Sequence, residues 1–486
     1  MPNRSTPLGI ITHGSLNAGV QMKLDASVSV ESIRSGTFCV IEGSKHDFFS
    51  MITDIAIEAA NENILLNPPS LDDTLLLDVM RGSSAYVTVS LKPMLMMQNE
   101  EHPELVDDGP KPVKTVPAHF STVAEADDED VSRVFGAEAN EGGNRFFHIG
   151  QPINMDSPVC IDLDRFIERS NAVFGKTGTG KTFLTRLLLC GTIKTGKAVN
   201  LVFDMHSEYG ETARQEGKGA AFVKGLRELF PSKVQVFTLD PETSRKRNSR
   251  PDQEVYLYAD QIEPEDILPL QDTLRLNQTA AESAYLLKKT YGRSWLRTLL
   301  DHDSMSELAE EIGANEASLS AFRRKMGFFD RLGFLKKESV KGRDDVLQGF
   351  LDVLKQGKSI VLEFGRYSDL TTYMLVANVI TRRLREAYED MTLVYNRTQN
   401  EADKPHPLII TIEEAHKFLS PGIARETPFG KIAREMRKFF VSLLVVDQRP
   451  SAIDEEVLSQ IGTKIVAQLN DEKDIGAALV GTSGAS

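Results

Sequence analysis

The residues with the clearest chemical potential form one octapeptide, GKTGTGKT, at Gly175–Thr182. Its glycine spacing and final Lys-Thr pair match the loop that binds the phosphates of a nucleoside triphosphate. Glycines let backbone N–H groups turn toward phosphate oxygens, and the N-terminus of a following helix adds partial positive charge. We expect Lys181 to reach the β- and γ-phosphates and the Thr182 hydroxyl to ligate Mg²⁺. The predicted nucleotide-binding residues are Gly175, Lys176, Thr177, Gly178, Thr179, Gly180, Lys181, Thr182 and Phe183.

Two carboxylates follow an apolar run near the end of the chain. Residues 408–412 are apolar except for one threonine, and Glu413 and Glu414 come next. One acid at such a strand end can join the shell of Mg²⁺, and the next can take a proton from the attacking water. We therefore predict Glu413 as the metal-associated acid and Glu414 as the general base. For the pair alone, an acidic helix start is the alternative.

A polar amide and a group of cations belong to the next predicted strand. Gln448 stands just past an apolar run and is predicted to orient water against the γ-phosphate. Arg434 and Arg437 precede that run in a cationic stretch. Either arginine is a candidate for insertion into a neighbouring subunit's site, where it would stabilise the transferred phosphoryl group. A solvent-facing cationic helix is the alternative.

A third group follows the strand predicted after the phosphate loop. Asp204, His206 and Glu208 stand at the carboxyl end of that strand, where crevices form in parallel sheets. We predict a possible second acidic site that polarises water or binds a partner's arginine. His206 has no companions at metal-ligand spacing, so a site of that kind is not expected there.

The elements around these motifs indicate an α/β fold. A strand at 171–174 enters the phosphate loop and a helix at 183–190 leaves it, as the motif requires. Largely apolar runs are typical of a parallel sheet buried on both faces. They recur at 198–204, 234–237, 359–363, 408–412, 443–446 and 464–467.

The N-terminal part has a different pattern. Short strands divided by Gly, Ser and Asn turns predict a small β-barrel or sandwich. They lie at 20–24, 37–41 and 86–91, whereas 48–60 fits a helix or a strand. Residues 98–143 are predicted as an acidic connection that carries one more strand and a short helix.

Between residues 264 and 354 the predicted strands stop and amphipathic helices replace them. One helix begins at the capping box of Ser304 and Glu307 and ends at Gly313. The spacing that follows fits a helix-turn-helix with Glu316–Met326 as a DNA-reading helix, or two packed helices of a bundle. We expect this block, about 262–352, to be an insertion in the core.

Composition limits the class of protein. With 486 residues, 41% apolar and 26% charged, the chain is long enough for two or three soluble domains. A net charge of −14 argues against a surface that coats nucleic acid broadly, but local basic loops stay possible. No signal peptide or membrane span is predicted, and Cys39, Cys160 and Cys190 are expected to be buried thiols in the cytoplasm.

In type and order, these motifs resemble the HerA branch of the FtsK/HerA translocase ATPases. The resembling segments are GKTGTGKT, Asp204–Tyr209, Ile412–His416, Arg434–Lys438 and Gln448–Pro450. The resemblance implies a RecA-like P-loop ATPase core at 156–486, preceded at 1–155 by a β-barrel of the HerA and ATP-synthase type. Two residues depart from the family: Met436 replaces a common Gly, and Glu413 replaces a common Asp.

The resemblance also implies partners and cofactors. Members form homohexameric rings that bind double-stranded DNA and move along it using ATP and Mg²⁺. They act with a NurA-type nuclease in DNA end resection, or beside a sirtuin-like or other effector in antiphage defence. A ring scaffold that uses ATP to gate an effector is the alternative, and a DExH helicase is a weaker one because no second motor domain is evident. The family's longer C-terminus leads us to expect a shortened chain here.

Overall fold

The computed structural model describes residues 7–60, 72, 85–98, 109–138, 144–214, 222–247, 249–337 and 346–482. It divides into two compact units, Met1–Asp162 and Leu163–Ala485. No helix among the described residues is long and apolar enough to cross a membrane.

The first unit contains a closed antiparallel barrel. Six strands follow the order β2-β1-β7-β3-β4-β5, and the pairing of β5 with β2 closes the circle. The segment that the sequence left undecided is strand β4, whose Phe, Ile and Thr residues favour a pleated surface. The strands are β1 Gly9–Ser15, β2 Gly19–Leu24, β3 Phe38–Ile41, β4 His46–Ala59, β5 Ala85–Gln98, β6 Lys111–Pro112 and β7 Thr122–Glu125.

The expected acidic connection contributes more to this unit than one strand. Both β6 and β7 come from it: β7 is one of the six barrel strands, between β1 and β3, and β6 pairs with β5. Helix α1, Asp128–Phe135, follows and begins at the capping box of Asp127 and Asp130. A separate hairpin of β8, Phe146–Gly150, and β9, Val159–Asp162, completes the unit. Residues 99–108 and 139–143 of the connection lie outside the described residues.

The second unit is built on an eight-stranded sheet of order β15-β14-β18-β11-β19-β20-β10-β21. Its pairings are all parallel, so the carboxyl ends of the strands share one edge. Two short pairs, β12 with β13 and β16 with β17, lie outside this sheet. The strands described in the unit are β10 Asn171–Phe174, β11 Val199–Asp204, β12 Ala213–Arg214, β13 Phe222–Val223, β14 Val234–Thr238, β15 Gln253–Glu254, β16 Leu257–Tyr258, β17 Leu335–Lys336, β18 Ser359–Glu363, β19 Leu408–Glu413, β20 Val441–Asp447 and β21 Thr463–Val466.

Helices cover both faces of this sheet and form the insertion between β15 and β18. The central strands are buried along their whole length, as their continuous apolar runs predict. The helices are α2 Leu163–Glu168, α3 Lys181–Thr195, α4 Leu226–Leu229, α5 Pro241–Lys246, α6 Pro264–Ile267, α7 Gln271–Leu274, α8 Gln278–Tyr291, α9 Trp295–Asp301, α10 Met305–Ile312, α11 Glu316–Met326, α12 Val346–Lys355, α13 Leu370–Thr398, α14 His416–Leu419, α15 Pro428–Glu435, α16 Glu455–Gln460 and α17 Glu472–Leu479.

The insertion is helical, with one exception. Ser304 caps α10 by accepting from the backbone N–H of Glu307, and Gly313 ends the helix at φ +70°. Short strand β17 lies inside the block and pairs with β16, so the expectation that strands are absent there is wrong. The buried side chains of the insertion belong to the same hydrophobic core as the sheet.

The cysteines are free thiols, but they differ in exposure. Cys39 and Cys160 are buried, whereas Cys190 is partly exposed. Burial raises the pKa of the Cys39 thiol to about 12 and that of Cys190 to about 11. The expectation that all three are buried is therefore wrong for Cys190, because it occupies a helix face that the sheet does not fully cover.

Candidate nucleotide site

A cavity of about 470 Å³ lies at the carboxyl edge of the parallel sheet. It gathers most of the predicted site residues from segments that are far apart in sequence. Of the predicted residues, it is lined by Thr177, Gly178, Thr179, Gly180, Lys181, Thr182, Phe183, His206, Glu208, Glu413, Glu414 and Gln448. Four further residues that were not predicted from the sequence also line it: Arg186, Val223, Val446 and Asp447.

The phosphate loop has the backbone form that its glycines predict. Gly178 and Gly180 adopt φ of +78° and +90°, conformations that other residues adopt only with strain. At Gly175, an added Cβ would lie 2.8 Å from the Cβ of Ala467, so a side chain does not fit. Lys181 begins helix α3, and its Nζ donates to the carbonyl of Lys176 at 2.9 Å. The Lys181 side chain thus folds back onto the backbone of its own loop.

Glu413 ends strand β19 as a buried carboxylate that is 9% exposed. The Tyr209 hydroxyl donates to Oε1 of Glu413 at 2.8 Å. The Tyr373 hydroxyl forms hydrogen bonds with the backbone carbonyl and N–H of Glu413. Burial and the neighbouring Asp204 raise the pKa of Glu413 to about 8, although the Tyr209 hydrogen bond lowers it. A carboxylate and the Thr182 hydroxyl in one cavity are hard oxygen donors, which fit Mg²⁺.

Glu414 adopts a strained backbone conformation, with φ at +49°. Its Oε1 accepts from Nε2 of Gln448 at 2.9 Å. The amide oxygen of Gln448 in turn accepts from the Thr177 hydroxyl at 2.7 Å. Gln448 therefore connects the phosphate loop to the predicted general base.

Asp447 also lines the cavity, although its role was not predicted from the sequence. Its buried carboxylate accepts from the backbone N–H of His416 at 2.7 Å and of Arg449 at 2.7 Å. The Nδ1 of His416 lies 2.9 Å from the same carboxylate. Asp447 also accepts through its carbonyl from the backbone N–H of Gly175 at 3.2 Å. It thus ties the base of the phosphate loop to the segment after Glu414.

The three residues of the predicted second acidic site do different things. Asp204 is completely buried and accepts from the backbone N–H groups of Glu208, Tyr209 and Gly210 at 2.8, 2.8 and 3.3 Å. Burial raises the pKa of Asp204, and these hydrogen bonds oppose the rise. His206 and Glu208 line the cavity. Asp204 therefore holds the loop that carries the other two.

Arg434 and Arg437 lie away from the cavity of their own chain. Both precede strand β20, whose opposite end borders the cavity, and its seven residues span about 20 Å. Arg437 pairs with Glu168 at 2.9 Å, and both side chains are more than half exposed. Nη1 of Arg434 is buried without a hydrogen-bond partner among the described residues.

Comparison with known proteins gives a consistent result. A family model described as the central domain of the helicase HerA matches residues 147–384. The DNA double-strand break repair helicase HerA of Saccharolobus solfataricus is 24% identical over 452 residues, covering 91% of this chain and 79% of that protein. Its namesake in Sulfolobus acidocaldarius is 24% identical over 485 residues, covering 96% and 84%. The chain is therefore similar to HerA helicases over most of its length.

Among solved structures, the bacterial conjugative coupling protein TrwB is 12% identical, with a TM-score of 0.41 and 74% of each chain covered. VirB4 of Thermoanaerobacter pseudethanolicus is 13% identical, with a TM-score of 0.40, covering 70% of this chain and 88% of that one. The phosphate loop and the two acids in one cavity, together with the similarity to HerA helicases, identify the chain as an enzyme that hydrolyses ATP.

The two departures from the HerA pattern have structural explanations. Met436 is completely buried in the core, and its φ of −86° makes no demand for glycine. Glu413 is longer than the usual Asp, and the Tyr209 hydroxyl bonds the end of the longer side chain. Both substitutions are therefore accommodated by local packing.

Proposed function

We propose that this chain is an ATP-driven translocase on double-stranded DNA that works as a homohexameric ring. Its proposed partner is a nuclease, of the NurA type in DNA end resection or an effector in antiphage defence. One observation supports the proposal most directly: the phosphate loop, Glu413, Glu414 and Gln448 meet in a single cavity. The HerA relatives, which are named as DNA repair helicases, support DNA as the substrate.

In this proposal each lining residue has a defined role. Lys181 exchanges the Lys176 carbonyl for oxygens of the β- and γ-phosphates, and Thr182 and Glu413 hold Mg²⁺. When bound, Mg²⁺ neutralises part of the phosphate charge. Glu414 accepts the proton of the attacking water, and Gln448 orients that water while bonded to Glu414.

In the proposed ring, a neighbouring subunit supplies the arginine that the cavity does not receive from its own chain. Arg437 lies at the amino edge of the sheet and its exposed side chain is available to a neighbour. An arginine inserted from a second subunit would stabilise charge on the transferred phosphoryl group. This arrangement requires at least two copies of the chain around each site.

Replacing Lys181 with Ala tests the site. We expect hydrolysis of ATP to fall at least about 100-fold, since electrostatic stabilisation of this kind contributes on that order. Lys194→Ala, at the far end of the same helix, is the matched control and should keep wild-type turnover. Turnover by Lys181→Ala at the wild-type rate would contradict the assignment.

Translocation is tested separately with a roadblock on duplex DNA. The wild-type chain should displace a bound roadblock in the presence of ATP and Mg²⁺, and Lys181→Ala should not. Hydrolysis by the wild type without displacement would favour the scaffold alternative.

A further inference from the structure

The carboxylate of Glu413 is held by a side chain from the loop that follows strand β11. The Tyr209 hydroxyl donates to Oε1 of Glu413 at 2.8 Å, and the tyrosine ring is completely buried. Tyrosine is a neutral donor. It can fix the direction of a carboxylate without cancelling the negative charge that attracts a cation, whereas a lysine or arginine in its place would compete with that cation.

Tyr209 is itself fixed from both sides of its backbone. Its N–H donates to Oδ2 of Asp204 at 2.8 Å, and its carbonyl accepts from the N–H of Leu226 at 2.8 Å. Its neighbour Glu208 is held in turn, because the Arg186 guanidinium donates to the Glu208 carbonyl. The backbone of Tyr209 is therefore fixed, and the complete burial of its ring restricts rotation of the side chain that carries the hydroxyl.

The length of the Glu413 side chain explains why such a contact matters here. Glutamate has one more rotatable bond than aspartate, and fixing each bond costs conformational entropy. A second tyrosine, Tyr373, bonds only the backbone of Glu413. Of these two hydroxyls, Tyr209 alone acts on the carboxylate.

We propose that Tyr209 is a positioning residue that directs the Glu413 carboxylate toward Mg²⁺. The inference rests on the proposed function, because that function assigns Glu413 to the cation. Partners that orient a metal ligand typically change metal affinity or activity about 10–100-fold when they are removed. Tyr209 should act on the dependence on Mg²⁺ and leave metal-free nucleotide binding unchanged.

The test compares Tyr209→Phe with Tyr373→Phe in the full chain. Each substitution removes one hydroxyl near Glu413 and keeps the buried ring. Binding of a fluorescent ATP analogue is measured in EDTA and then as Mg²⁺ is added. We expect Tyr209→Phe to need about 10–100-fold more Mg²⁺ for half-maximal enhancement, with binding in EDTA as in the wild type. Tyr373→Phe should keep the wild-type requirement for Mg²⁺.

The outcomes separate this inference from the proposed function. A wild type whose nucleotide binding ignores Mg²⁺ would overturn the assignment of Glu413 to the cation and, with it, the role of Tyr209, whereas loss of the proposed function itself would appear as absent ATP hydrolysis. A wild type that responds to Mg²⁺, with Tyr209→Phe responding identically, would overturn only the role of Tyr209. An equal rise in the Mg²⁺ requirement of both tyrosine variants would also overturn it, because the effect would then not depend on the contact with the Glu413 carboxylate.

A second variant tests the same contact from the other side. Glu413→Asp shortens the carboxylate so that it no longer reaches Tyr209. We expect it to weaken the Mg²⁺ response although aspartate is itself a good ligand, and we expect Tyr209→Phe to add little in that background. An undiminished effect of Tyr209→Phe on Glu413→Asp would contradict the proposal.

Discussion

At the scale of single residues, the cavity depends on one continuous set of hydrogen bonds. Thr177, Gln448 and Glu414 are linked in series over 2.7 and 2.9 Å. Glu414 holds a left-handed backbone conformation that costs about 1–3 kcal/mol in a residue other than glycine. The surrounding contacts stabilise this conformation and keep its carboxylate beside the phosphate loop.

Replacing Gln448 with Ala removes the link between the loop and the base. We expect kcat for ATP to fall about 10-fold or more, since hydrogen bonds to charged groups contribute about 1.5–3 kcal/mol. KM for ATP should change little, because Gln448 acts on the water and on Glu414. Steady-state ATPase kinetics measure both constants. Gln460→Ala, on an exposed position of α16, is the control, and a loss confined to KM would argue against the assigned role.

At the scale of elements, four adjacent strands end in buried carboxylates. Glu363 ends β18, Asp204 ends β11, Glu413 ends β19 and Asp447 ends β20. Asp204 and Glu363 are direct partners in the parallel register. Such an arrangement concentrates negative charge in a low-dielectric region, and it makes stability depend on pH.

Glu363 allows that dependence to be measured. Burial, Asp204 and Glu211 raise its pKa to about 7 from 4.5, against the opposing effect of Arg247 and Arg227. Well below pH 4.5 the group is protonated whether the chain is folded or not. As pH rises from 4.5 to 7 the unfolded chain gives up this proton first, so the folded state loses about 3 kcal/mol of stability, and the loss is complete above pH 7. Glu363→Gln should therefore raise the thermal unfolding midpoint at pH 8 and change it little at pH 4.5. An equal rise in the unfolding midpoint at pH 8 and at pH 4.5 would contradict the assignment of this pH dependence to Glu363.

The elements were predictable from sequence to different degrees. Strand Asn171–Phe174 and helix Glu316–Met326 were predicted to the residue, because apolar runs and capping side chains mark their ends. The role of Tyr209 was not predictable, because its partner Glu413 lies 204 residues away in sequence. The role of Asp447 also depends on a contact between distant parts of the chain, with His416. Local patterns show where strands end, but not which side chains meet there.

At the scale of the whole molecule, the predicted arginines and the cavity lie at opposite edges of one sheet. Arg437 bonds Glu168 near the amino end of β10, whereas the phosphate loop follows the carboxyl end of that strand. An α/β sheet of this length separates its two edges too far for one side chain to bridge. If Arg437 contributes to hydrolysis, it does so in another copy of the chain.

Mixing experiments test this contribution. Arg437→Ala should bind nucleotide as the wild type does and lose hydrolysis about 1,000-fold or more, the effect typical of an arginine supplied in trans. Added in increasing proportion to the wild type, it should reduce ATPase activity by more than simple dilution, because each variant subunit disables a neighbour's site. Glu168→Ala, which removes only the partner within the chain, is the control. Activity that follows dilution alone would rule out action across subunits.

The position of the helical insertion affects how this family can diversify. The insertion leaves the sheet after β15 and returns at β18, and β18 pairs directly with β14. The block lies between two strands of the sheet, which would let evolution shorten or exchange it without changing strand order. Its side chains, Trp295 and Phe322 among them, nevertheless complete the core of the sheet. A replacement must supply an equivalent apolar face, so the block is expected to vary in length and surface but to evolve together with the strands beneath it.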